Sequence, residues 1–141
     1  MVDLNLAIRT TLLLVDDDVQ QLELRALVLK MSGFTVLTAS SPVEAISIMA
    51  QHPAAKVDVA ILDYEMPGMN GCVLADYLRE RYPELKIILH SGAPHIPESE
   101  MGSVDAFVAK GAGVTTLLEG VSMLAELRAI QSDDLVTPAL Q

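Results

Sequence analysis

The chain of 141 residues contains few cysteines, few histidines and few basic side chains. Its one cysteine, Cys72, cannot form a disulfide within the chain, which is typical of a reducing compartment and predicts a cytoplasmic protein. With 9 basic against 19 acidic residues, the formal net charge of −10 argues against direct binding to nucleic acid or to anionic lipid. Because cysteines and histidines are not clustered, a zinc site is not expected.

Long apolar runs are missing as well. No stretch approaches the ~20 apolar residues that a membrane-spanning helix needs. The first residues lack the basic start of a signal peptide. Hydrophobic residues make up 51% of the composition, which is enough to build a core, and the length is that of one ordinary domain. These features predict a single domain that does not associate with membranes.

Short apolar runs alternate with amphipathic segments, which predicts strands and helices in turn. Strands are predicted at residues 12–15, 34–39, 57–62, 86–90 and 105–109. Helices are predicted between residues 18 and 33, 42 and 52, 71 and 82, and 115 and 131. Because Pro94 and Pro97 follow the fourth strand, any helix there must be short and begin late.

The ends of the predicted helices carry local signals. Asp18 is expected to cap the first helix, with Gln21 as its capping-box partner, and Gly33 is expected to follow the end of that helix. Pro42 suits the first position of the second helix, where its missing N–H costs nothing. The apolar positions predicted to face the core are Leu22, Leu24, Ala26, Leu27, Val28 and Leu29 in the first helix, Val73, Leu74, Tyr77 and Leu78 in the third, and Leu117, Leu118, Val121, Leu124, Ala125 and Leu127 in the last.

Continuous apolar strands between helices are typical of a parallel sheet covered on both faces, so the predicted fold class is α/β. In such sheets, ligands bind beyond the carboxyl ends of the strands. The polar residues that follow predicted strand ends are Asp16, Asp17, Asp63, Ser91 and Lys110. We therefore expect these side chains to meet at one edge of the sheet.

The acidic residues at this edge indicate a chemistry. Asp16, Asp17 and Asp63 would crowd negative charge into one pocket, and such carboxylates need a cation to remain ionised together. Mg²⁺ is a hard cation that prefers oxygen ligands. A carboxylate such as Asp63 can attack phosphorus and form an acyl phosphate, although it can also cap or turn a loop. Helix capping, the alternative for the acidic run, is assigned to Asp18.

Four segments occur in order: VDDD at residues 15–18, LDYEMPGMNG at 62–71, SG at 91–92 and FVAK at 107–110. With these segments, residues 10–131 resemble the receiver domain of bacterial two-component response regulators. The resemblance implies a flavodoxin-like (βα)5 fold, a doubly wound parallel sheet of five strands in the order 2-1-3-4-5 with helices on both faces. Residues 1–9 would then be an N-terminal extension and residues 132–141 a flexible C-terminal tail.

The resemblance also implies roles for the residues at the edge of the sheet. Asp63 matches the phosphoacceptor of the family. Asp16 and Asp17 match the acidic pair that binds Mg²⁺ with the phosphoacceptor and with a backbone carbonyl, here that of Glu65. The side chain of Glu65 lies either at the mouth of the pocket or on the solvated surface.

Ser91 and Lys110 match the hydroxyl and the ammonium that bind the phosphoryl group, with a turn serine and a solvated lysine as the alternatives. Ser91 and Phe107 match the two side chains that move on phosphorylation, and core packing is the alternative for Phe107. Cys72 is expected to be a packed small residue rather than a reactive thiol. The histidines are assigned no role.

The predicted function is that of a response regulator receiver in a phosphorelay. A sensor histidine kinase or a histidine phosphotransfer protein would donate a phosphoryl group from a phosphohistidine to Asp63. The protein, stand-alone or part of a larger chain, is then a phosphoacceptor that catalyses its own phosphorylation and dephosphorylation rather than an enzyme. It would signal to a downstream protein by direct contact. A homodimer would use the face of the fourth helix of the family fold, which follows the fourth strand, together with the fifth strand and the fifth helix, here the last predicted helix.

Two other functions stay open. One is a receiver-like binding module that never uses phosphate. The other is a Mg²⁺-dependent phosphohydrolase that forms an aspartyl phosphate, in which Glu65 would be the general acid two residues after Asp63. Two features favour the receiver over the phosphohydrolase: Met66 and Pro67, which follow Glu65, and the aspartate pair at positions 16 and 17.

One departure from the family pattern lies directly after Lys110, where proline is usual and Gly111 stands instead. A cis peptide bond without proline costs about 2.5–4 kcal/mol. A trans bond is therefore predicted, with Gly111 and Gly113 accommodating the change of direction.

Overall fold

The computed structural model describes residues 2–51, 57–93 and 95–140, with side chains described as far as residue 131. The helices are α1 (Leu4–Ile8), α2 (Val19–Met31), α3 (Pro42–Gln51), α4 (Gly71–Arg81) and α5 (Val114–Leu140). The strands are β1 (Thr11–Val15), β2 (Thr35–Ala39), β3 (Val59–Leu62), β4 (Lys86–Ser91) and β5 (Ala106–Ala109). Single 3-10 turns occupy Glu98–Glu100 and Lys110–Ala112.

The five strands form one sheet in the order β2-β1-β3-β4-β5, and all neighbouring strands are parallel. This order confirms the predicted α/β fold. The register pairs Val15 with Leu62, so the residues after β1 and after β3 leave the sheet at the same level. Ser91 pairs with Ala109 in the same way, which places Lys110 one residue beyond the end of β5.

The core lies in two layers, one on each face of the sheet. In β1, Leu12 and Leu14 point into the layer formed with α1, α2 and α5, whereas Leu13 and Val15 point into the layer formed with α3 and α4. All four side chains are almost completely buried. Since a fully buried leucine stabilises a fold by about 1.5–3 kcal/mol, alternation along the strands stabilises both layers at once.

The predicted cap, glycine and proline at the helix ends are confirmed, but the capping box is not, because the N–H of Asp18 donates to Oδ1 of Asp16 at 2.9 Å instead of to Gln21. The Asp18 side chain accepts a hydrogen bond from the N–H of Gln21 at 3.2 Å and caps α2. Gly33 follows the C-cap of α2 with φ +105°, a conformation that favours glycine. Pro42 is the first residue of α3. At α4, Asn70 caps the helix by accepting the N–H groups of residues 72 and 73.

Both chain ends differ from the prediction. Residues 4–8 form the short helix α1, capped by Asp3, with Leu6 and Ala7 buried against the rest of the core. Five residues are too few to show a helical period in the sequence, so this element was not predictable from its pattern. The last helix extends to Leu140 instead of ending near residue 131. None of the described helices is long and apolar enough to cross a lipid bilayer.

Several apolar side chains predicted to be buried are exposed: Leu24 (58%), Leu27 (55%), Val73 (47%) and Leu127 (45%). The prediction took almost every apolar position of each helix as its buried face. A helix that packs on a sheet buries a narrower stripe, which in α2 consists of Leu22, Ala26 and Leu29. The remaining leucines therefore form apolar surface rather than core.

The segment between β4 and β5 contains a single 3-10 turn, Glu98–Glu100, where the resemblance implies a helix. This agrees with the expectation that any helix there is short and late. Asp105 secures the start of β5 instead, because its carboxylate accepts the N–H of Ile87 at 2.8 Å and an N–H of Arg79 at 2.6 Å.

The segment between β4 and β5 borders a groove of about 300 Å³ beside β5. Its lining residues are Ala93, His95, Ile96, Met101, Phe107 and Ala109. The face that we expected to support a homodimer therefore contains β5, α5 and a 3-10 turn, without the full helix of the prediction.

Candidate functional site

The predicted acidic residues meet at the carboxyl edge of the sheet. Asp16 directly follows β1 and Asp63 directly follows β3. One carboxylate oxygen from each of Asp16, Asp17 and Asp63 lies within 4.8 Å of the other two. Asp16 and Asp63 are buried, whereas Asp17 is exposed. Among the residues that the structure describes, this cluster excludes Glu65, whose side chain is exposed.

Lys110 joins the two buried carboxylates. Its Nζ lies 3.1 Å from Oδ1 of Asp63 and 3.0 Å from Oδ2 of Asp16. Burial alone would lower the pKa of the Lys110 ammonium, but the bonds to Asp16 and Asp63 outweigh burial and raise that pKa above its usual value. Lys110 is therefore charged and lies directly beside the carboxylate of Asp63.

Burial raises the pKa of Asp63 above its usual value. The bond to Lys110 opposes this shift, and the negative charges of Asp16 and Asp17 add to it. The ionised form of Asp63 is thus less stable in the folded chain than in water. A further cation at this cluster would favour the ionised, nucleophilic form.

In the metal-free protein, we expect the Asp63→Asn variant to melt at a higher temperature than the wild type at neutral pH. Because the pKa of Asp63 is raised in the folded state, the folded state holds this proton more tightly than the unfolded state. The stability contributed by that proton is lost as the pH rises from about 4 through the folded-state pKa.

Thermal unfolding in EDTA at several pH values measures this effect. The wild type should lose stability relative to Asp63→Asn as the pH rises, and Mg²⁺ should reverse the order of the two proteins. Mg²⁺ at 100 times its dissociation constant stabilises a folded protein by about 2.7 kcal/mol. An Asp63→Asn variant that melts below the wild type in EDTA at neutral pH would contradict the conclusion that the ionised Asp63 carboxylate destabilises the metal-free protein.

The two predicted switch residues lie on the same face of neighbouring strands. Ser91 ends β4, is buried, and its hydroxyl oxygen accepts the N–H of Ala93 at 3.0 Å. Phe107 lies on β5, two residues before the Ala109 that pairs with Ser91. Its side chain is 43% exposed and lines the groove beside β5, so core packing does not hold it.

The Lys110–Gly111 peptide bond is trans, as predicted, and the turn after β5 is a single 3-10 turn. Gly113 has φ +92° and accommodates the change of direction. Gly111 is the central residue of the 3-10 turn Lys110–Ala112 and contributes to the same bend without a positive φ.

Gly71 fixes the distance between α4 and the loop that follows β3. Its N–H donates to the carbonyl oxygen of Tyr64 at 2.8 Å. A Cβ on Gly71 would clash with the backbone oxygen of Asp63. Only glycine therefore fits here without displacing Asp63.

We expect Gly71→Ala to destabilise the protein by about 1–3 kcal/mol, the usual cost of overpacking, because the new methyl group clashes with backbone. Chemical denaturation measures the loss. Gly102→Ala is the matched control, since a Cβ there meets nothing within 4 Å. Equal stabilities of the two variants would show that the loop after β3 can shift away from the new methyl group at little cost in free energy.

Tyr64 connects the loop after β3 to the turn before β5. Its hydroxyl donates to Oε1 of Glu100 at 3.0 Å, and this bond is the main reason why the pKa of Tyr64 is raised. Cys72 is buried, and burial raises the pKa of its thiol to about 11. Its thiol is therefore protonated near neutral pH, in agreement with the expected packing role.

Two residues of the site were missed by the sequence analysis. Arg25 of α2 places Nη1 3.0 Å from Oδ2 of Asp16. His90 of β4 is buried, and burial, with the charges of Arg25 and Lys110, lowers its pKa to about 4. A signal for Arg25 existed, because position 25 lies on the same side of the helix as the buried positions 22, 26 and 29.

The family described as the response regulator receiver domain matches residues 12–122 of this chain. The chain belongs to this family. The match begins at the second residue of β1, ends in the first third of α5 and includes every residue of the site. The family resemblance read from the four sequence segments is thereby confirmed.

This receiver domain is similar to parts of larger proteins. It is 40% identical over 84 residues to the sensor kinase CckA of Brucella abortus, a match that covers 58% of this chain and 9% of the relative. It is 29% identical over 126 residues to the transcriptional regulatory protein GlrR of Escherichia coli, a match that covers 87% of this chain and 28% of the relative. The matched part is thus less than a third of either relative.

Among solved structures, the receiver domain is similar to the response regulator TrrA of Thermotoga maritima in complex with Mg²⁺ and BeF. The TM-score is 0.74 at 30% identity, and the match covers 82% of this chain and 98% of TrrA. TrrA in complex with the histidine kinase ThkA gives a TM-score of 0.72 at 29% identity, with coverage of 82% and 97%.

The residues present fit a magnesium ion. Mg²⁺ takes oxygen ligands and is usually bound through one or two carboxylates while it keeps several waters. The cluster offers carboxylate oxygens from Asp16, Asp17 and Asp63. Because Asp17 is the exposed member, the cluster opens toward water.

Proposed function

We propose that this receiver domain accepts a phosphoryl group on Asp63 from the phosphohistidine of a sensor histidine kinase or a histidine phosphotransfer protein. The observation that carries the proposal is the ammonium of Lys110 between Asp63 and Asp16, at 3.1 and 3.0 Å. A buried carboxylate with a cation beside it and two further acids at the same strand edge is suited to attack on phosphorus.

In the transfer, an Oδ atom of Asp63 attacks the phosphorus, the bond from phosphorus to the donor imidazole nitrogen breaks, and its electron pair returns to the imidazole. Lys110 moves from the carboxylates to a phosphoryl oxygen and stabilises its charge. The Ser91 hydroxyl leaves the N–H of Ala93 and donates to another phosphoryl oxygen. Water later hydrolyses the acyl phosphate and regenerates Asp63.

Mg²⁺ would be held by Asp16, Asp17, Asp63 and the backbone carbonyl of Glu65, and it would neutralise charge on the transferring group. The acidic cluster and the fold shared with TrrA, whose structure contains Mg²⁺ and BeF, support this assignment. The domain catalyses its own phosphorylation and dephosphorylation in this scheme. The exposed side chain of Glu65 does not favour the phosphohydrolase alternative.

The movement of Ser91 would change the surface around β5. Phe107 is 43% exposed and lines the groove, and in this scheme it would turn toward the position that Ser91 vacates. We propose that a downstream protein, or a second copy of this chain, binds this face in one of the two states. Residues 10–131 would carry the function, with residues 1–9 as an N-terminal extension, and the location would be cytoplasmic.

The kinase or phosphotransfer protein must reach Asp63 from the carboxyl edge of the sheet. Two exposed valines lie at that edge, Val19 (51%) directly after the acidic run and Val114 (45%) after the turn that follows Lys110. The complex of TrrA with the kinase ThkA supports a kinase partner for this chain. We propose that the partner packs against both valines.

Incubation with acetyl phosphate and Mg²⁺, followed by intact-protein mass spectrometry, tests the proposal. The expected product carries one phosphoryl group, which hydroxylamine removes because it is an acyl phosphate. Absence of labelling from acetyl phosphate and from a phosphohistidine donor would favour the phosphate-independent binding module. Sustained turnover of p-nitrophenyl phosphate would favour the phosphohydrolase.

A further inference from the structure

Arg25 is a charged residue of the site that has no role in the proposed phosphoryl transfer. It lies on α2 with a side chain that is 18% exposed, and its Nη1 is 3.0 Å from Oδ2 of Asp16. Lys110 binds the same oxygen at 3.0 Å, so one carboxylate oxygen is shared by two cations. The side chain of Asp16 itself is only 3% exposed.

Both carboxylate oxygens of Asp16 accept hydrogen bonds. Oδ1 accepts the N–H of Asp18 at 2.9 Å, and Oδ2 accepts hydrogen bonds from Arg25 and Lys110. A buried carboxylate with this set of donors is fixed in its orientation. Asp63, in contrast, has Lys110 as its one described ion-pair partner.

Lys110 and Arg25 differ in whether the proposed transfer would move them away from Asp16. The proposed transfer takes Lys110 from the carboxylates to the phosphoryl group, whereas Arg25 contacts only Asp16 among the three acids of the cluster in the described structure. A guanidinium is charged at every pH at which the protein is folded and does not give up its proton. In the proposed scheme, Arg25 remains beside Asp16 as a fixed positive charge while Lys110 moves.

We propose that Arg25 is a positioning residue that holds Asp16 in place and, as a fixed positive charge beside the acidic cluster, weakens the binding of Mg²⁺. The inference rests on the proposed metal site. A cation that enters the cluster meets an Asp16 whose charge is already balanced in part by Arg25. The site then takes up Mg²⁺ less tightly than its three carboxylates alone would.

Calorimetric titration of the full chain with Mg²⁺ tests the proposal with Arg25→Gln and Arg25→Lys. The expected result is that Arg25→Gln binds Mg²⁺ roughly 3- to 10-fold more tightly than the wild type, since a charge a few ångströms away is removed. Arg25→Lys keeps the charge and should bind Mg²⁺ like the wild type, which a purely structural role would not predict.

Lys30→Gln is the matched control, because it removes the same charge from an exposed position on the same helix. It should leave the affinity for Mg²⁺ unchanged. Circular dichroism of each variant, with and without Mg²⁺, confirms that it is folded. Unchanged or weaker Mg²⁺ binding by folded Arg25→Gln would overturn the proposal, as would absence of Mg²⁺ binding in every variant.

The titration separates this proposal from the proposed function. A wild type that binds Mg²⁺ but takes no label from any phosphoryl donor would refute phosphoryl transfer, while the comparison of the Arg25 variants would still decide the role of the arginine. If Arg25→Gln were unfolded, the Arg25→Lys variant would decide instead. Binding of Mg²⁺ by folded Arg25→Lys more than threefold tighter than by the wild type would contradict a role that depends on charge.

Discussion

Asp63→Asn is expected to abolish phosphorylation by acetyl phosphate, with no residual label on any other side chain. The amide cannot form the acyl phosphate, although it keeps the shape of the carboxylate. Asp16 cannot replace Asp63, because both of its oxygens already accept hydrogen bonds. Asp17 is exposed and has no described ion pair with Lys110.

The control for this variant is Asp18→Asn, which changes the same type of side chain two residues after Asp16. Asparagine caps helices as well as aspartate does, so α2 should keep its cap. Labelling should therefore proceed as in the wild type. Mg²⁺-dependent labelling of Asp63→Asn at the rate of the wild type would refute Asp63 as the phosphoacceptor.

Lys110→Met is expected to slow phosphorylation by about 10²–10³-fold, the usual effect of removing a group that stabilises developing charge. The methionine side chain fills similar space but cannot bind a phosphoryl oxygen. Loss of the Lys110 ammonium also leaves the negative charges of Asp16 and Asp63 without the cation between them. The rate of labelling at saturating Mg²⁺ measures the effect, so that weaker metal binding does not obscure it.

Lys30→Met provides the comparison, because it makes the same substitution at an exposed position on α2. This variant should be labelled at the rate of the wild type. A Lys110→Met rate within threefold of the wild type would show that the observed ion pairs serve the folded structure and not the transfer.

The fold was predictable because its signals are local and repeated. Each strand is a short apolar run, and each helix of the core follows with a cap or a proline at its start, as Asp18 and Pro42 show. The strand order came from the resemblance, since periodicity does not determine which strands are neighbours. The short helix α1 was missed because five residues contain little more than one helical turn.

The position of the site was predictable from the rule that ligands bind at the carboxyl ends of parallel strands. That rule brought together residues far apart in sequence, such as Asp16 and Lys110. It does not apply to residues on helices, and for this reason Arg25 was missed. The burial of helical side chains was also overestimated. The sequence shows that Leu24 and Leu27 are apolar, but it does not show that they lie outside the stripe of α2 that is buried.

The crystal structure of this protein with Mg²⁺ and beryllofluoride would test the phosphoacceptor assignment most directly. We predict a beryllofluoride group bound to a carboxylate oxygen of Asp63, with the Lys110 ammonium and the Ser91 hydroxyl in contact with its fluorides. Mg²⁺ should lie between the group and Asp17, with Arg25 still bound to Asp16. Beryllofluoride bound at another residue, or an unmodified Asp63 at saturating beryllofluoride and Mg²⁺, would contradict the proposed phosphoacceptor.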